Sequence, residues 1–236
     1  MWTQADFDYW YSPVKARVPN GHPEHGNSFP YGWKYFAYGS RRALDGSSEE
    51  LGYADNFRWV QALVNRAGYA PGKKALIVGC GVGATVYKVR SDYPVANIWG
   101  TDTSAYVHSI KNVNSPAGFV PDDYIMNVDI LAQNALTQLK AYTGGNGKVD
   151  WVICELVTET IPVQDRSAWF AACESLLAAN GNVVHIVMSN RDGSPAPADW
   201  LTEGWTWQTI SQWGAESPSH YFIDASDTSL VYSPGG

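Results

Sequence analysis

Ala75-Leu76-Ile77-Val78-Gly79-Cys80-Gly81-Val82-Gly83-Ala84 is the stretch from which the fold is read. Its β-branched opening is too short for a helix and reads as a buried strand. The strand runs into three glycines at alternate positions, where the backbone has to turn tightly and approach another group closely. Thr85 to Arg90 lacks Gly and Pro and reads as the opening of a helix, whose free N–H groups and positive dipole end face the same turn. A second short strand, Ile98-Trp99-Gly100-Thr101-Asp102-Thr103, brings a carboxylate nineteen positions beyond Gly83. At that spacing a carboxylate commonly holds the diol of a ribose. The pattern predicts a nucleotide-type cofactor site.

Outward from this stretch, strand and helix signals alternate. Strands fit at about 74–79, 96–101, 123–128, 149–154 and 182–188, and helices at about 83–91, 104–111, 130–142 and 166–178. Such alternation predicts an α/β fold with a mostly parallel sheet and helices on both faces. Apolar runs such as Trp151-Val152-Ile153-Cys154 suit strands buried on both sides. Toward the C-terminus, 205–210, 219–223 and 230–232 read as short strands with no helix between them, which predicts an antiparallel edge.

Residues 1–45 have a different character. Eleven of the 32 aromatics fall in the first 38 positions, interrupted by Pro13, Pro19, Gly21, Pro23, Gly26 and Pro30. This segment reads as an irregular arm or lid held by its rings, with 46–236 as the main domain. Such an arm is also a candidate face for assembly with a second copy or a partner. Ser47-Ser48-Glu49-Glu50 has the form of a capping box, opening a helix that runs to about Ala67.

Composition narrows the function. The chain of 236 residues is 45% apolar and 17% charged, as folded globular proteins are. A net charge of −7 with only 16 Lys and Arg argues against binding duplex nucleic acid, where phosphates need clustered cations. Cys80, Cys154 and Cys173 lack metal-ligand spacing and read as small buried residues of a reducing compartment. No charged start precedes an apolar stretch, and no run approaches the roughly 18 residues that span a bilayer. The expectation is a cytoplasmic protein with no membrane segment.

Five segments together resemble the class I S-adenosylmethionine-dependent methyltransferases. Leu76–Gly83 resembles that family's first motif, Gly100–Ser104 its acidic turn, and Asn127-Val128-Asp129-Ile130 the acidic end of its third strand. Val149–Val157 resembles the fourth-strand motif, and Leu176–Val184 the leucine-rich helix end, glycine turn and fifth strand. The resemblance covers about residues 50–190 in order and in register. It implies a seven-stranded Rossmann-like sheet, S-adenosylmethionine as cofactor, and methyl transfer to a small-molecule or protein substrate. Two positions depart from the family pattern. Ile77 stands where the family usually has Asp or Glu, and Thr160 where many members have His after a glutamate.

The resemblance also implies roles. Gly79, Gly81 and Gly83 would let backbone pass close to the cofactor, Asp102 would bind the ribose hydroxyls, and Thr103 would lie beside the adenine. Asp129, with Ile130 next to it, would meet the adenine amino group. Glu155 would face the cofactor amino group or the substrate, and Glu155 and Glu159 are the candidate catalytic groups. The residues alone leave other readings open: a ligand-free turn for the glycines, a helix cap for Asp129, solvated carboxylates for Asp102 and Glu155. His185, inside an apolar strand, reads as a hydrogen-bonded core histidine. His22 and His25 lack a third ligand, so no metal is expected. Two other functions compete: an NAD-dependent oxidoreductase, since residues 79–84 also fit Gly-x-Gly-x-x-Ala, and an inactive methyltransferase-like structural module.

Overall fold

Lys74–Val78 forms β1, and its last four side chains are buried, as a strand covered on both faces requires. It is followed in sequence by β2 (Asn97–Asp102), β3 (Ile125–Asn127), α1 (Ala135–Thr143), β4 (Val149–Glu155), α2 (Arg166–Ser175), β5 (Leu177–Val187), β6 (His220–Asp224) and β7 (Asp227–Tyr232). The structure is a computed structural model and describes residues 72–81, 83, 85, 86, 90, 97–103, 108, 120–155, 157, 158, 161, 165–187, 219–224 and 227–232. The aromatic arm at 1–45, the capping box and its helix, Glu159, Thr160 and the 205–210 strand lie outside the described residues.

The strands form one sheet in the order β3-β2-β1-β4-β5-β6-β7. From β1 to β6 every pairing is parallel, and β7 joins β6 antiparallel. Among the described strands β1 comes first, β2 and β3 add outward on one side of it, and β4 then joins its other side. The order therefore reverses at β1, and open α/β sheets bind ligands at the carboxyl ends of the strands beside such a reversal.

Alternation along the strands divides the core. Leu76 and Val78 of β1, Val152 and Cys154 of β4, and Val183 of β5 share one face with Leu139 of α1 and Trp169 and Cys173 of α2. Each large apolar side chain buried this way contributes about 1.5–3 kcal/mol. Ile77 and Ile153 alternate to the opposite face and are as fully enclosed. Among the described residues, no helix is long and apolar enough to cross a membrane.

Local chemistry moves several element ends from their expected places. The helix expected from residue 130 starts at Ala135, because Asp129 Oδ1 accepts the Leu131 N–H at 2.9 Å and holds a turn in competition with the helix. Helix α2 stops at Ser175, short of 178, because Leu177 already pairs with Val149. The glycine turn expected before the fifth strand lies inside β5 as an irregularity: pairing jumps from Leu177 to Asn182 while β4 advances only from Val149 to Trp151. Asn180 there takes a φ of 62°. β6 runs parallel to β5, so the reversal of direction comes one strand later.

The close approach of β2 to the loop after β1 depends on Gly100. A Cβ there would lie 2.6 Å from Cys80 Sγ and 2.9 Å from Val86 Cγ2. Gly100→Ala is expected to destabilise the protein by about 1–3 kcal/mol through overpacking. Gly72→Ala, where a Cβ meets nothing within 4 Å, should change stability by less than about 0.5 kcal/mol. Urea denaturation of the two variants beside the parent checks the contrast.

Candidate functional site

The loop leaving β1 is held almost entirely by the end of β2. Thr101 O accepts two backbone N–H groups, from Gly79 at 2.9 Å and Cys80 at 3.1 Å. Asp102 Oδ2 accepts the Gly81 N–H at 3.0 Å, and Cys80 O accepts the Gly83 N–H at 2.9 Å. Gly79, Gly81 and Gly83 all have positive φ, at 70°, 54° and 82°. Gly79 is required twice over, since a Cβ there would also stand 2.7 Å from the Val157 side chain. Asp102 is only 5% exposed, so its carboxylate acts in a setting where a hydrogen bond to charge is strong.

Further hydrogen bonds fix Asp102. The Thr101 hydroxyl donates to Val128 O at 2.7 Å and accepts the Val128 N–H at 3.2 Å, which ties the end of β2 to the segment after β3. Asn127 Nδ2 donates to Asp102 O at 2.9 Å. Ile77, the position of the missing acidic residue, is fully buried between Gly100 and Ile153 in the sheet register. A carboxylate could not be placed there without desolvation. Asp102 fastens the loop through the Gly81 N–H.

Glu155 closes the other side. It is the last residue of β4, and its Oε1 accepts the Thr85 hydroxyl at 2.9 Å from the helical turn that follows the glycines. Burial raises its carboxyl to about 7, against the smaller lowering effect of the Thr85 hydrogen bond. Cys80 is half-buried beneath Gly100. Its thiol is pushed well up, first by burial and then by the charges of Asp102 and Glu155, so it stays a neutral thiol. The site is acidic and carries no thiolate nucleophile.

The expected residues divide. Gly79, Gly81, Gly83, Asp102 and Thr103 lie together at the carboxyl ends of β1 and β2, with Glu155 at the matching end of β4. Asp129 is exposed and bonded to Leu131, and Ile130 belongs to the hydrophobic core with Met126 and Leu139. Asp129 does not cap the helix, whose N-cap is Asn134. Glu159 lies outside the described residues. Thr85, Thr101 and Asn127 were not singled out by their sequence. Only their position beside strand ends marks them, and that signal is shared by many polar residues. Among the described residues, no group of three or more His, Cys, Asp or Glu could hold a metal ion.

No protein-family model and no curated protein matches the chain. Solved structures do resemble it. A protein described as an O-methyltransferase from Nostoc punctiforme superposes with a TM-score of 0.56 at 16% identity, over 82% of this chain and 58% of that one. A SAM-dependent methyltransferase from Anabaena variabilis gives 0.50 at 14% identity, over 76% of this chain and 79% of that one. PKMT2 from Rickettsia typhi, solved with AdoHcy, gives 0.36 at 19% identity over 48% of this chain. The chain spans 58% of the length of the Nostoc protein and 20% of that of PKMT2. With the sheet order and the glycine loop already described, the first two likenesses establish that this chain has the class I methyltransferase fold.

Proposed function

We propose that this chain is an S-adenosylmethionine-dependent methyltransferase acting on a small-molecule or protein acceptor. One observation carries the reading: the four described loop N–H groups, of Gly79, Cys80, Gly81 and Gly83, are all bonded to protein acceptors. A dinucleotide needs such N–H groups free for its pyrophosphate. Here those four N–H groups are taken and the loop is flanked by Asp102 and Glu155, an arrangement that disfavours phosphates. It suits a cofactor without phosphate that carries a cationic amino group and a cationic sulfur. That chemistry favours S-adenosylmethionine over NAD, and the strand order, with its reversed edge at β7, belongs to the same Rossmann-like reading.

In this reading Asp102 would bind the ribose while holding Gly81, with Thr103 beside the adenine. Asp129 and Ile130 are weaker candidates for the adenine edge, given the bond of the first to Leu131 and the burial of the second. Glu155 would face the amino group. When bound, S-adenosylmethionine supplies a methyl group already activated by positive sulfur. The residues of this chain then have to hold the acceptor in line and exclude water, which can lower a barrier by several kcal/mol, roughly 7–11 in the best cases. A base is needed only for an acceptor that arrives protonated. Glu155 and Glu159 remain the proposed candidates for that task.

Calorimetry with S-adenosylhomocysteine and with NAD separates the two cofactor classes, and binding of NAD alone would overturn the proposal. Asp102→Asn should weaken S-adenosylhomocysteine binding about tenfold or more, since a hydrogen bond to a charged group contributes about 1.5–3 kcal/mol. An unchanged Kd in a folded variant would remove the ribose role.

Glu155 gives a pH prediction. An ammonium group prefers the ionised carboxyl, and the free site titrates near 7. Binding of S-adenosylhomocysteine should therefore strengthen as pH rises from 6 to 8, by up to about tenfold. Glu155→Gln should abolish that dependence. A parent and variant with the same pH profile would leave Glu155 to the acceptor.

A further inference from the structure

A second polar array crosses the sheet on the face opposite Glu155. Thr158 Oγ1 and His185 Nδ1 are 2.7 Å apart, His185 Nε2 and His220 Nδ1 are 2.7 Å apart, and His220 Nε2 lies 3.1 Å from Glu174 Oε1. Thr158, His185 and His220 have no exposed surface, whereas the Glu174 side chain is 45% exposed. The sequence places the rings this way for simple reasons. His220 and Phe222 are two apart on β6 and so share a face, and Phe222 pairs with His185 across the strands. Phe170 of α2 covers all three, with ring centroids 5.1, 4.9 and 6.4 Å from those of His185, His220 and Phe222. The two imidazole planes are within 19° of parallel, and with nitrogens 2.7 Å apart they meet edge to edge through a hydrogen bond rather than face to face.

The proton positions follow from what each group can do. Burial lowers both histidines, His185 further through His220 and His220 less because Glu174 opposes the effect, so each ring is neutral with one N–H. The solvent-facing Glu174 carboxylate is the acceptor at the outer end, so His220 carries its proton on Nε2 and accepts at Nδ1. His185 then donates from Nε2 and accepts at Nδ1 from the Thr158 hydroxyl. The other described neighbours do not compete: α2 adds Phe170 and Cys173, β4 adds Cys154 opposite His185, and Ser219 bonds to the same Glu174 oxygen at 3.4 Å. Every donor points toward the surface.

We propose that Thr158, His185, His220 and Glu174 form a proton-transfer line between solvent and the carboxyl end of β4. Its inner end lies one residue beyond Val157, whose side chain packs beside Gly79 of the candidate site. Its outer end lies near the C-terminus of α2, toward the other end of the sheet. A hydroxyl or water admitted beside the buried Thr158 Oγ1 would supply a proton there, and Thr158 would release its own proton to His185 Nδ1. His185 gives its Nε2 proton to His220 Nδ1, and His220 gives its Nε2 proton to Glu174, from which water removes it. Each ring loses one proton as it gains one, so no net charge stays in the core. The line is left with reversed polarity, both rings protonated on Nδ1.

This inference does not depend on the methyltransferase reading, and its test uses the full chain without ligand. Two-bond ¹H–¹⁵N spectra of uniformly labelled protein at pH 7, assigned by substituting His22, His25 and His108, report the tautomer of each ring. The parent should show both His185 and His220 protonated on Nε2. In Glu174→Gln the new amide can donate to His220 Nε2, which makes the reversed polarity accessible. Both rings should then shift toward the Nδ1–H form by the same fraction, although His185 does not touch residue 174. A parent with either ring on Nδ1, or a variant in which His185 stays unchanged, would overturn the proposal. Thr158→Val offers an independent check at the buried end: the His185 Nδ1 resonance should move to that of an unbonded nitrogen while Nε2 keeps its proton. Loss of the Nε2 proton there would also count against the line.

Discussion

The hydrogen bond from the Gly81 N–H to the buried Asp102 carboxylate is the constraint on which the site depends. A bond of this kind contributes about 1.5–3 kcal/mol, and losing the acceptor would leave a buried N–H without a partner. It fixes the glycine loop against the end of β2, supported by the two N–H groups that share Thr101 O. With the loop fixed, Cys80 lies under Gly100, and Gly79 lies beside Val157. The helical turn that follows brings Thr85 to Glu155. The placement of the loop follows from one buried acid.

That arrangement also sets the electrostatics. The charges of Asp102 and Glu155 add to burial in keeping the Cys80 thiol neutral, and burial raises the Glu155 carboxyl to about 7. Two carboxyl groups beside a loop whose described N–H groups are bonded to protein acceptors make a poor receptor for phosphate and a good one for a cation. The absence of an acidic residue at Ile77 fits this design. That side chain fills the core between neighbouring strands, and Asp102 fastens the loop.

The parallel sheet organises both polar arrays by alternation. Along β4, Glu155 follows Trp151 and Ile153 on one face, while Val152 and Cys154 face the helices. His185 pairs with Cys154 and so lies on the helix side, where Phe170 and Phe222 enclose it. The acidic pocket and the histidine line are thus separated by one layer of sheet, although they meet near the same strand ends. A buried histidine in an apolar strand is stable only if its nitrogens are satisfied, and here each has a partner at 2.7 Å.

The sequence by itself determined the strands, the glycine turn and the acid that follows it. These depend on short-range effects: β-branched residues favour buried strands, only glycine readily takes positive φ, and a strand of known length carries Asp102 to its end. It also marked Glu155 at the end of an apolar run. It did not determine that Asp102 bonds Gly81, that Asp129 turns back on Leu131, or that α1 waits until Ala135, because those outcomes were settled by competition among hydrogen-bond partners. The union of Thr158, His185, His220 and Glu174 was decided only in three dimensions. His185 and His220 are far apart in sequence, and only the parallel pairing of β5 with β6 and the packing of α2 across them make the contacts. Local preference is written in neighbouring residues; the pairing of distant polar groups depends on strand register, which the whole sheet sets.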